Sequence, residues 1–215
     1  MQTSLLKNLL LGSLLVILLT SCSPTLFYKY SKNELVTETL VHPIVNRDNS
    51  LLFKTKIKLY NKYFSGLILL KQTDSSTSHL VFVTELGMKM FDYEIRNNQF
   101  KLTYVFEPLN KPNILKILER DLKIILLQNL LNKDVAIYKK DKVNSAIYKI
   151  VDRTQKHFYY VNLTTKAVDK TIIKGRLFCK EKVNYLYNDS LSATQIKLKH
   201  KGFIRLKIEL NNIPK

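Results

Sequence analysis

The chain has 215 residues, a formal net charge of +18 and two cysteines, Cys22 and Cys179. That length fits a single domain of about 100 to 200 residues behind a leader. A lone cysteine beyond the leader excludes a fold stapled by internal disulfides. The lysines alternate with apolar residues (Lys54, Lys56 and Lys58 with Phe53, Ile57 and Leu59) and form no aromatic-interleaved groove. The charge is therefore that of solvated strand faces, which excludes nucleic acid as a partner and leaves solubility or weak attraction to anionic headgroups.

The first segment carries Lys7, then an apolar run over 9–19, then Thr20, Ser21 and Cys22. As a helix this run is roughly 16 Å long at about 1.5 Å per residue, about half of a bilayer's hydrocarbon thickness. It reads as an export-signal core, not a permanent span. Leu19, Thr20, Ser21 and Cys22 resemble the lipobox of bacterial lipoproteins. The resemblance implies cleavage after residue 21 and lipidation of Cys22, with covalent diacylglycerol and N-acyl chains and no other cofactor. The expected organisation is 1–21 signal peptide, 22–33 lipid-anchored tether and 34–215 a single domain. Membrane lipid is then a partner through Cys22. Ser23 and the residues after it lack an acidic retention or surface-export signal, which points to the outer membrane and its periplasmic face.

Beyond the tether, a two-residue hydrophobic period predicts strands near 34–41, 50–60, 63–72, 78–86, 89–97 and 99–107. After a helix, further strands are predicted near 134–140, 144–151, 156–162, 167–174, 177–187, 193–200 and 202–210. Short polar turns separate them, as at Asn97 and Asn98 or Asp152 to Thr154, so the strands form antiparallel meanders.

The interruption is the predicted helix over 111–132, with Pro112 in its first turn and Asn132 at its end. Lys116, Glu119, Arg120 and Lys123 gather on one narrow stripe, opposite a broad face of Ile114, Ile117, Leu118, Leu122, Ile124 and Ile125. Such a helix is buried on most of its circumference. Leu118, Leu122, Ile125 and Ile114 are the candidates to line an apolar cavity between helix and sheet. Asp121 falls within the apolar arc, where a carboxylate either reaches water at an open end or takes donors from the sheet.

Strands, one strongly apolar helix and more strands behind a lipobox resemble the half-open barrels of the LolA/LolB superfamily. The stretch Phe64, Ser65, Gly66, Leu67, Ile68, Leu69, Leu70, Lys71, with 84–93 behind it, resembles LolB-like lipoproteins of Bacteroidota. The resemblance implies an incomplete antiparallel β-barrel with one long amphipathic helix on its concave face. It also implies an acyl chain or a lipoprotein as cargo. The polar turn at 72–78 departs from LolB, which is similar in having a loop that projects a leucine.

No metalloprotease, nucleophile-elbow, phosphate-loop or dinucleotide motif is present, so the chain is expected not to be an enzyme. His42, His79, His157 and His200 show no ligand spacing, and no metal site is expected from them. A turn at Leu86 and Gly87 brings Glu85 and Asp92 near each other; their alternation makes them partners of lysines instead. Cys179 is expected to be a small core residue. Three functions remain open: a carrier of an acyl chain or other apolar moiety, a structural or adaptor lipoprotein binding an envelope protein, and a glycan binder using exposed aromatics.

Overall fold

A computed structural model describes residues 24–37, 40, 41, 44, 50–74, 77–97, 99–140, 142–152, 154–175, 179–201 and 205–214. The expected signal peptide, Cys22 and His42 lie outside the described residues.

The strands in chain order are β1 (Lys29–Leu35), β2 (Leu51–Leu59), β3 (Lys62–Gln72), β4 (Thr77–Thr84), β5 (Lys89–Arg96) and β6 (Gln99–Val105). A 3-10 turn at Glu107–Leu109 leads into α1 (Pro112–Ile125). There follow β7 (Asp134–Lys139), β8 (Ser145–Asp152), β9 (Gln155–Asn162), β10 (Val168–Lys174), β11 (Cys179–Tyr187), β12 (Ala193–His200) and β13 (Leu206–Asn212). Among the described residues the 13 strands make one sheet in the order β1, β7 to β13, β2 to β6. Every pairing in it is antiparallel. Among the described residues β1 and β6 remain as unpaired edges, so the barrel is incomplete, as the resemblance implied.

The two-residue period is what closes the core. In β2, Phe53, Thr55 and Ile57 are buried while Lys54, Lys56 and Lys58 are exposed, and the same alternation runs through β12. Inner residues of β2 to β5 join inner residues of β11 to β13 and α1 in one apolar core. Gly66 permits the close pairing of β3 with β4, because a Cβ there would collide with the Val83 carbonyl. Gly87, with φ at +81°, makes the β4–β5 turn.

The last strand, expected near 202–210, is Leu206–Asn212, and two further boundaries differ from the sequence expectation for a clear reason. The first strand covers Lys29–Leu35 and not 34–41, so part of the expected tether is strand. β1 is an edge strand exposed on both faces, so it carries no alternating burial signal; Val36 and Val41, which are buried, lie beyond it. The helix ends at Ile125 and not near 132. Gln128 donates to the Lys123 carbonyl and Leu127 to that of Ile124, with Leu127 at φ 58°. This is a Schellman stop with leucine where glycine is usual. Leu126, Leu127 and Leu130 are nevertheless buried, which prolongs the apolar pattern past the helix itself.

Candidate functional site

α1 begins with Pro112 in its first turn, where the missing N–H costs no hydrogen bond. Its two halves meet the sheet differently. The first half covers an apolar cavity of about 30 Å³. Ile114, Ile117 and Leu118 form the helix side of that cavity, and Ile57, Phe64, Phe82 and Phe91 form much of the sheet side. A space of that size holds about one water or methyl group. Of the four residues expected to line a cavity, Leu118 and Ile114 do so. Leu122 and Ile125 are fully buried in the core.

The second half is fastened by polar contacts. Asp121, on the buried face, has no exposed surface. His200 Nε2 on β12 lies 2.6 Å from Asp121 Oδ2. Arg120 donates from Nε at 3.2 Å and from Nη2 at 3.1 Å to Asp121 Oδ1. The same Nη2 stands 2.7 Å from Glu181 Oε1 on β11 and 3.5 Å from His200 Nε2. One turn on, the Tyr185 hydroxyl of β11 donates to the Ile124 carbonyl at 3.0 Å. Asp121 is thus satisfied by basic groups, His200 from the sheet among them, and does not depend on open water.

Glu181 is 1% exposed, and its Oε2 has no hydrogen-bond partner among the described residues. Burial raises its pKa above the usual carboxylate value, and the Asp121 charge adds to this; Arg120, His200 and Lys180 pull the other way. His157, on β9, is also buried with Nδ1 unpartnered among the described residues. Desolvation lowers its pKa; Asp152 opposes the shift and Arg120 adds to it. His157 and Arg120 both line a cleft of about 700 Å³ between α1 and β8 and β9, together with Lys116, Lys123 and Asp152.

Arg120 was expected on the solvated stripe, yet its guanidinium turns to the buried acids. Lys123 and Glu119 stay on that stripe and pair at 2.6 Å. No local pattern points to His200 or Glu181 as its partners, since they lie about 80 and 60 positions from the helix along the chain. Only the antiparallel register sets Glu181 opposite His200.

The remaining candidates stand apart from this site. Asp92 pairs with His79 at 3.3 Å and with Lys89 at 3.2 Å, while Glu85 sits in the exposed β4–β5 turn. Cys179 is half-buried and not a core residue, its position being the first of β11. Leu86, in that same turn, is 95% exposed. No helix among the described residues is long and apolar enough to cross a membrane.

No protein-family model matches the chain, and no curated protein matches it in sequence. Among solved structures it is similar to a LolA-superfamily protein from Nitrosomonas europaea, at 9% identity and a TM-score of 0.48, over 80% of this chain and 87% of the other. It is also similar to a domain from Vibrio parahaemolyticus named for outer membrane lipoprotein sorting, at 8% identity and a TM-score of 0.41, over 82% and 87%.

Proposed function

We propose that this chain is a non-enzymatic, lipid-anchored envelope protein that takes up an acyl chain or similar apolar moiety between α1 and the sheet. The supporting observation is the asymmetry of α1. Its second half is tied down by Asp121, Arg120 and the Ile124 carbonyl, whereas its first half rests on a wholly apolar cavity by side chains of which Ile114 and Ile117 are only half-buried. A cavity of about 30 Å³ does not hold an acyl chain. Uptake therefore requires the first half of the helix to lift while the second half acts as the hinge. In this reading the apolar run over 9–19 directs export, and Cys22, exposed by cleavage after residue 21 and lipidated, supplies the anchor.

The test combines binding and stability on one substitution. Leu118→Ala should change the affinity for a fluorescent fatty acid, with a stability loss below the roughly 2 to 5 kcal/mol of a filled core site. A large loss of stability, with no probe binding by either protein, would leave a structural scaffold only. Anchoring is tested separately: Cys22→Ser should release the full chain from membrane fractions. Retention after a high-salt wash would overturn the lipoprotein reading.

A second reading, an adaptor for an envelope protein, draws on the outer face of β3. Leu67 and Leu69 are exposed there and lie in register with Val83 and Val81, which are part-exposed on β4. Loss of a crosslinked partner in a Leu67→Ser, Leu69→Ser variant that still binds the fatty acid would favour it.

A further inference from the structure

Asp121, Glu181 and His200 each offer a ligand atom, and these atoms lie within 4.8 Å of one another. All three residues are buried, two on neighbouring strands in direct register and one on the helix above them. Their surroundings are ordered by the sheet and the pinned half of α1, so the donors are held before any ligand arrives.

The cluster attracts cations by its own charge. Once both acids are ionised, two carboxylates face one guanidinium in a low-dielectric interior, and a second positive charge is favoured beside them. Glu181 Oε2 is buried and takes no hydrogen bond among the described residues. Arg120 Nη2 already sits within 2.7 to 3.5 Å of one atom of each of the three residues. It marks where positive charge is stabilised. Arg120 is also the least buried member, with 31% of its side chain exposed, and it borders the cleft of about 700 Å³ into which it can turn.

We propose that Asp121, Glu181 and His200 form a binding site for a divalent transition-metal ion of the zinc class, with Arg120 as the displaceable resident cation. One imidazole and two carboxylates suit zinc, with water completing the tetrahedron. A dication balances both carboxylates once Arg120 swings into the cleft. The bound ion ties α1 to β11 and β12 at the point that serves as the helix's fixed end. The site does not depend on the acyl-binding reading.

The experiment uses the full chain in detergent, stripped with EDTA and titrated with zinc chloride alone. Calorimetry should find one equivalent, and a hundredfold excess over Kd should raise Tm by roughly 5 to 10 °C. Cobalt(II) in place of zinc should give an absorption spectrum of a low-coordinate site, which reports ligation independently of stability. His200→Gln and Glu181→Gln should each lower affinity at least tenfold, whereas Arg120→Gln should raise it. Binding unchanged in His200→Gln would place the ion elsewhere and overturn the proposal. So would an absence of binding in the wild type, and binding confined to Arg120→Gln would show that the arginine is a permanent ion-pair partner.

Discussion

The two wings of the sheet follow the same alternation and share one apolar core, yet buried polar side chains are concentrated on the inner face of one of them. In β2 to β5 the inner positions hold Phe53, Ile57, Ile68, Leu70, Leu80, Phe82, Phe91 and Tyr93. Thr55, the polar exception on β2, donates locally to the Phe53 carbonyl at 3.1 Å. In β9 to β12 the inner positions include His157, Tyr159, Thr171, Glu181, Tyr185 and His200. An apolar wing asks only for close packing and accepts any apolar surface laid on it. A polar wing must be given particular partners, because a buried polar group without one is costly. For Glu181, His200 and Tyr185 those partners come from α1: Arg120, Asp121 and the Ile124 carbonyl. The polar wing therefore sets where the helix sits, and the apolar wing is where it can leave a cavity.

The largest expected effect breaks the apolar wing. Phe53 is 1% exposed in the middle of β2 and does not border the cavity. Phe53→Ala should cost about 3 to 5 kcal/mol through lost transfer energy and the void left behind. Denaturant midpoints at an unchanged m-value measure it. A loss below about 1 kcal/mol would mean that this wing is loosely packed.

Two tyrosines sharpen the comparison at smaller magnitude. Tyr185→Phe removes the donor to the buried Ile124 carbonyl and should cost about 1 to 2 kcal/mol. Tyr159, also buried on the inner face, has a hydroxyl with no partner among the described residues. Tyr159→Phe should therefore be neutral or stabilising by up to about 1 kcal/mol. Equal costs for the two would show that the Tyr159 hydroxyl holds a bonded water.

The strands, their turns and the helix were legible because each is written in local periodicity: the lysines of β2 and β12, the Asn97 turn, Pro112 opening α1. β1 was misplaced because an edge strand exposed on both faces has no period to read. The helix end was missed because Leu127 adopts a glycine-like φ that composition does not signal. Of the candidate site, the misfit of Asp121 on the helical wheel was visible. Its partners were not, because strand register, not sequence distance, decides which inner residue stands beneath it. Arg120 shows a further limit: a long side chain one position from a buried acid can leave the solvated stripe and follow the charge.

The smallest expected effect is a pH dependence carried by the polar wing through His157. Burial on β9 lowers its pKa from the ordinary value; Asp152 across the hairpin offsets this in part and Arg120 from α1 adds to it. The folded chain therefore resists a proton that the unfolded chain accepts near pH ~6.5. Because the folded pKa is depressed, the contribution is fully present above that unfolded value and is lost as pH falls through the folded one. Stability measured by denaturation in steps from about pH 8 to about pH 5 should thus decline more steeply in the wild type than in His157→Gln, which cannot titrate. Parallel curves would mean that His157 takes up its proton in the folded state as readily as in the unfolded one. In that case the open cleft, not the inner face of the sheet, would govern this end of the polar wing.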